Sequence, residues 1–109
     1  MVHNVLAMQA WLSDGELVEF GPVARSGPRA GGIAEFVGAL ARNNRSEIEA
    51  HWPKVLRRVA GYNLDIFHNQ SERPYTDDGS VNLAHLLIGA EGTLAYTKNI
   101  TLRLSPLPR

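Results

Sequence analysis

Residues 5–12 form an almost unbroken apolar run, with Leu6, Met8, Ala10 and Leu12 on one side and Val5, Ala7 and Trp11 sharing the other with Gln9. Such a run reads as a strand covered on both faces. Ser13-Asp14-Gly15-Glu16 follows, and Asp-Gly marks a hairpin turn because glycine accepts positive φ. Residues 17–20 are the return strand, stopped by Gly21-Pro22. Residues 21–32, rich in Gly, Pro, Arg and Ser, read as a mobile loop. Then the period changes. Ile33, Phe36, Val37, Leu40 and Ala41 recur at helical spacing, Glu35 suits the positive end of the dipole, and Asn43-Asn44 ends the element.

Ser46-Glu47-Ile48-Glu49 is a capping-box pattern that opens a second short helix, and Pro53 biases Trp52 toward a break or kink. Residues 60–65 are turn-rich, and the polar stretch 70–80 reads as a surface loop. Residues 82–88 read as a short helix burying Leu83, Leu86 and Leu87, with Gly89 just past its end. The clearest strand comes last. Leu94, Tyr96, Ile100, Leu102 and Leu104 alternate with Thr97, Asn99, Thr101, Arg103 and Ser105, and Lys98 is the one violation on the apolar face. The order strand, strand, helices, strand predicts an α+β fold, with helices packed on one side of an antiparallel or mixed sheet. An apolar strand opens almost at once, and Pro106-Leu107-Pro108-Arg109 stops in what resembles a connection, so both ends read as cuts.

With 109 residues there is room for one domain, and the formal net charge of zero removes the electrostatic case for nucleic acid or an anionic membrane. The absence of cysteine excludes a disulfide frame, a thiolate metal site and a thiol nucleophile. No apolar run reaches the roughly 18–20 residues of a membrane span. The start lacks a signal-peptide pattern, so a cytoplasmic location is expected and the sequons at Asn44, Asn69 and Asn99 read as chance matches.

Candidate chemistry is sparse. His3, His51, His68 and His85 have no ligand spacing, Asp77-Asp78 reads as a solvated pair, and Lys54, Arg57 and Arg58 as a solvated face. Glu47, Glu49 and His51 cluster in sequence, but the capping box already accounts for Glu49. Trp11 and Trp52 read as core rather than as stacking platforms, and no nucleophile–base–orienter set is visible. The stretch Gly89-Ala90-Glu91-Gly92-Thr93-Leu94-Ala95 joins helix to strand, and its two glycines let main chain approach a ligand, with amides able to donate to phosphate or to a ring edge. A helix C-cap followed by a tight turn needs the same glycines and is the preferred reading on spacing alone.

Three segments carry a family resemblance. Residues 3–15, His-Asn-Val-Leu-Ala-Met-Gln-Ala-Trp-Leu-Ser-Asp-Gly, resemble the N-V-L-x-M-E-x-V-L-A-D-G strand and turn of FAD-linked oxidases of the vanillyl-alcohol oxidase and p-cresol methylhydroxylase type. That family includes D-lactate and D-2-hydroxyglutarate dehydrogenases. Val59-Ala60-Gly61-Tyr62-Asn63-Leu64 resembles its S-G-Y-N/D-L. Residues 86–95 and 100–104 resemble L-x-G-S-E-G-T-L-G … T-L-R-L, the most specific of the three. Ala90 stands where the family has Ser, and Ala95 where it often has Gly. The Ala95 form, Tyr96 and the ending 104–109 are closer to large members fused to an iron–sulfur module.

The resemblance implies that residues 1–109 are a single fragment, the second subdomain of a PCMH-type FAD-binding domain. The pyrophosphate-binding first subdomain and the substrate cap would belong to the rest of the parent polypeptide, its partners in forming the site. It assigns FAD contact to Glu91, Gly92, Thr93, Leu94, Ala95, Tyr96 and Thr97, partly through backbone groups, and no catalytic residue to this chain. The parent would oxidise a hydroxyl-bearing substrate such as a D-2-hydroxy acid, with an iron–sulfur cluster in another domain and peripheral membrane association open to it. A stand-alone, non-catalytic α+β interaction domain is the alternative.

Overall fold

The computed structural model describes residues 4–25, 27–51, 62–67, 76, 78 and 80–108. Strands β1 (Val5–Trp11), β2 (Leu17–Phe20) and β3 (Tyr96–Leu102) form an antiparallel sheet in the order β2-β1-β3. Between β2 and β3 come α1 (Pro28–Asn43), α2 (Arg45–His51) and α3 (Ala84–Leu87), with 3-10 turns at Val23–Arg25 and Leu64–Phe67. The α+β architecture expected from the pattern is present. The helices cover one face of the sheet: Val5, Met8, Ala10, Val18 and Phe20 pack in one cluster with Ala30 and Ala34 of α1, Leu83, and Ala84 of α3.

The hairpin forms where Asp-Gly announces it. Gly15 adopts φ +85°, and Asp14 Oδ1 accepts the Glu16 amide at 3.0 Å. Arg29, at the start of α1, reaches back to Asp14 at 3.2 Å and Glu16 at 3.5 Å. All three side chains are half exposed, so these ion pairs add little stability.

β1 is not covered on both faces. Val5, Met8 and Ala10 are buried while Leu6 and Trp11 are exposed. The ladder explains this: Val5 pairs with Leu102 and Ala7 with Thr101, so Leu6 is an inserted residue and the alternation changes phase. A second insertion lies on β3, where Gln9 pairs with Asn99 but Ala10 with Thr97. The inserted residue is Lys98, the violation in the sequence pattern. It splits the expected single apolar face. Ile100 and Leu102 lie opposite the buried Met8 and Val5, whereas Tyr96 lies opposite Trp11 on the open face. There the two rings stand 6.1 Å apart, and Lys98 Nζ sits 5.7 Å from the Trp11 ring. Trp11 is therefore a surface residue, not core. β3 is an edge strand exposed along its whole length.

The helical region departs from expectation in three ways. Residues 21–32 are not one loop: the chain turns through Val23–Arg25 and α1 already starts at Pro28, where proline at the first turn loses no hydrogen bond. Glu35 is consequently well inside α1 and not at its dipole end. α1 buries its small residues, Ala30, Ala34, Gly38 and Ala41, and leaves Phe36 71% exposed. Small side chains let helix and sheet approach, and a Cβ on Gly38 would meet Phe67 at 3.4 Å. The capping box does not form. α2 starts at Arg45, which places Ser46 inside the helix, and Glu49 pairs with Arg45 at 3.2 Å. The expected break at Trp52-Pro53, the basic residues Lys54, Arg57 and Arg58, and Asp77 lie outside the described residues, as does most of the stretch 70–80.

Candidate functional site

α3 links β1 to the segment around the 3-10 turn Leu64–Phe67. Asn82, just before it, donates Nδ2–H to the carbonyl of the inserted Leu6 at 2.7 Å and accepts the Ala84 amide on Oδ1 at 2.9 Å. One side chain thus satisfies both a bulged strand and a helix start. His85 Nε2 lies 3.0 Å from the Val5 carbonyl; a carbonyl only accepts, so Nε2 carries the proton. At the other end of α3, Asn63 donates to the carbonyls of His85 at 2.8 Å and Ile88 at 3.0 Å. These belong to the last turn of the helix, whose carbonyls have no partner within it. Asn63, Asn82 and His85 are all buried. His85 is therefore a structural histidine, and His51 lies beside Glu47 on exposed α2 at 3.6 Å. His3 and His68 lie outside the described residues, and among those described no group of three or more His, Asp or Glu could hold a metal ion.

The chain leaves α3 through Gly89, at φ +87°, which is the expected residue past a helix end. It then makes a second left-handed excursion. Glu91 has φ +53° and Gly92 φ +76°. Two successive positive φ values describe a primed turn, in which Thr93 donates its amide to Ala90 O at 3.0 Å. The Thr93 hydroxyl donates to the same carbonyl at 2.6 Å. Among the described residues Glu91 is the one non-glycine with positive φ. A left-handed L-residue costs about 1–2 kcal/mol, so something must hold Glu91 there. Tyr62 supplies a clamp: its hydroxyl lies 2.8 Å from Thr93 Oγ1. The Thr93 proton is committed to Ala90 O, so Tyr62 is the donor.

The amides of Glu91 and Gly92 have no hydrogen-bond partner among the described residues, and both residues are exposed. A Cβ built on Gly92 meets nothing within 4 Å. The turn therefore leaves two main-chain donors without a partner among the described residues on an exposed segment, an arrangement that can serve an anionic or carbonyl oxygen. The remaining assigned residues fan out from it. Leu94 is partly exposed, Ala95 packs against the main core, Tyr96 turns to the open face beside Trp11, and Thr97 pairs with Ala10. A groove of about 870 Å³ lies elsewhere, between β2 and the start of α1, lined in part by Glu16, Glu19, Arg25 and Arg29. Among residues 91–97, Thr93 has its hydroxyl engaged within the turn and with Tyr62. Tyr62 and Asn63, which set the turn, were visible in the sequence only as a motif without a role.

Among the described residues, Asp78 is clearly perturbed. The Ser80 hydroxyl, 2.6 Å from Asp78 Oδ1, and then the Ser80 amide hold the Asp78 carboxyl below the ordinary aspartate range. No described helix is long and apolar enough to cross a membrane.

No family model matches the chain, and no solved structure matches it. The chain is similar to proteins named D-2-hydroxyglutarate dehydrogenase. It is 33% identical over 114 aligned positions to that of Pantoea ananatis, an alignment covering 97% of this chain and 11% of the relative. It is 31% identical over 81 positions to that of Pseudomonas putida, covering 74% and 7%. Against that of Escherichia coli it is 27% identical over 114 positions, covering 97% and 11%. The chain thus spans about a tenth of the length of the relatives it matches.

Proposed function

We propose that this chain is the flavin-contacting part of an FAD-linked dehydrogenase that oxidises a D-2-hydroxy acid. The observation that carries the proposal is the turn at Glu91 and Gly92, which holds two unpartnered amides outward at a conformational cost. It lies in a chain similar along 97% of its length to D-2-hydroxyglutarate dehydrogenases. In this reading residues 1–109 are the second subdomain of a PCMH-type FAD domain. The first subdomain and the substrate cap come from the rest of the parent, and an iron–sulfur cluster would sit in another of its domains.

The donor set fits the group. A flavin ring edge carries carbonyl oxygens and ring nitrogens that accept main-chain hydrogen bonds, and Gly92 leaves room for close approach. A bound flavin would supply the electron chemistry for oxidising the hydroxyl-bearing carbon. The Glu91 and Gly92 amides would hold the ring edge and favour negative charge on it. The chain contributes no acid or base to the substrate.

The test uses the full-length reading frame that carries this chain. The purified protein should contain one FAD per polypeptide, and Gly92→Val should lower that content. A Cβ added at Gly92 meets nothing within 4 Å, so the expected effect comes from the φ of +76°, which valine does not adopt, or from the ligand itself. Gly15→Val is the control. It imposes similar strain at φ +85°, also in open space, in the β1–β2 hairpin. It should leave the flavin content of the folded protein unchanged. A colourless parent, or a Gly92→Val protein with a full complement of flavin, would refute the reading.

A further inference from the structure

We infer that Tyr62 is a positioning residue for this turn, acting through Thr93 to set the direction of the Glu91 and Gly92 amides; the inference rests on the flavin reading above. Tyr62 is half exposed, yet its hydroxyl is committed at 2.8 Å to a residue 31 positions away. Its phenol is held by the segment it belongs to. The next residue, Asn63, is buried and bolted to the carbonyls of His85 and Ile88, and Leu64 donates its amide to Tyr62 O at 3.0 Å. The same Ile88 leads through Gly89 into the turn. Tyr62 and Asn63 therefore grip the turn from both sides, Asn63 where the chain enters it and Tyr62 where it leaves.

The physical need for a second grip follows from the turn itself. One backbone hydrogen bond, from Thr93 N to Ala90 O, closes it, and Glu91 opposes the left-handed geometry. The Thr93 hydroxyl doubles that closure only while its rotamer points Oγ1 at Ala90 O. Tyr62 donates to Oγ1 from the other side and so selects that rotamer. Without the phenol hydroxyl the Thr93 side chain is free to leave, and the two amides lose their fixed direction without any loss of core packing.

The order of action makes a specific cycle. In the full-length protein, Tyr62→Phe should speed amide exchange at Thr93 in the flavin-free form about tenfold, the effect of one net hydrogen bond. It should weaken flavin retention by a similar factor and shift the visible absorption or circular dichroism of the bound flavin. Thr93→Val should do the same. Thr93→Ser, which keeps the hydroxyl, should behave as wild type. Tyr62→Phe added to Thr93→Val should cost nothing more, because the tyrosine acts only through that hydroxyl. Unchanged exchange at Thr93 in Tyr62→Phe overturns the inference whatever the flavin does. Faster exchange with an unaltered flavin spectrum and retention, while Gly92→Val still sheds flavin, also overturns it and leaves the flavin reading standing. If neither Tyr62→Phe nor Gly92→Val alters the flavin, the reading beneath it fails as well.

Discussion

Replacing Asn63 with alanine removes the side chain that terminates α3. Its amide makes two hydrogen bonds, at 2.8 Å to His85 O and 3.0 Å to Ile88 O, from a position only 6% exposed. Each neutral bond contributes about 1 kcal/mol net, and a buried acceptor left without a donor costs about 1–3 kcal/mol. Water reaches the Ile88 carbonyl more readily than that of His85, since Ile88 is only partly buried. The expected loss is therefore about 2–4 kcal/mol. A domain of this size has about 5–15 kcal/mol in total, so the melting temperature should fall by about 10–20 °C. Urea unfolding at 25 °C, followed by circular dichroism, should show a lower midpoint at unchanged slope. Asn63→Asp sharpens the test because it keeps the shape but points a carboxylate oxygen at two carbonyls. Its folded-state pKa would lie above the unfolded value of about 3.9. Stability would then be greatest below that pH and lost as pH rises through the folded pKa. An alanine variant within about 0.5 kcal/mol of wild type, or an aspartate variant that gains stability toward neutral pH, would refute this account of the α3 terminus.

Other consequences are cheaper to check. The 109-residue chain by itself should bind FAD more weakly than micromolar, because in the proposed parent it supplies only part of the cofactor's walls; titration followed by flavin fluorescence measures this. Phe36→Ser should change stability by less than about 0.5 kcal/mol, since the ring is exposed, whereas Ala34→Leu should cost about 1–3 kcal/mol by overpacking α1 against the sheet. Ser80→Ala should raise the Asp78 pKa toward the ordinary aspartate value in an NMR titration. The depressed folded value means that the Asp78–Ser80 interaction favours the fold above the unfolded pKa and is lost as pH falls through the folded one.

What the amino-acid pattern makes legible are local signals with local causes. Asp14-Gly15 specifies the hairpin because only the turn requires its positive φ, and Gly89 marks the end of α3 for the same reason. The phase of a strand is a different matter. Period-2 alternation assumes an unbroken ladder, and one inserted residue reverses every face beyond it. Lys98 was visible as an exception, and the exception was the insertion itself. Leu6 gave no such warning, because an apolar residue fits either face of an apolar run. α1 misleads for a related reason. Counting large side chains points to Phe36 and Leu40 as its buried stripe, but the buried stripe is Ala30, Ala34, Gly38 and Ala41, with Ala30 and Ala34 against the sheet and Gly38 against Phe67, selected by close approach rather than by hydrophobic area.

The candidate site was legible as a place and not as a mechanism. Two glycines three apart announce a tight bend, and the bend is there. The property on which the proposed function rests is a pair of unpartnered amides, and it depends on Glu91 accepting a conformation that glutamate disfavours. Within residues 89–95 only the two Thr93 bonds to Ala90 O oppose that cost. The rest comes from Tyr62 and Asn63, brought alongside only because Asn82 and His85 dock α3 onto the carbonyls of Leu6 and Val5. Each of these bonds spans between 22 and 80 positions of sequence. The three separated segments that carry the family resemblance are thus the parts of one hydrogen-bonded assembly. The strand anchors the helix, the helix end is capped by Asn63, and Tyr62 reaches from there to close the turn. A change in any one of them should be felt at the amides of Glu91 and Gly92, even where the altered residue lies far from the proposed flavin.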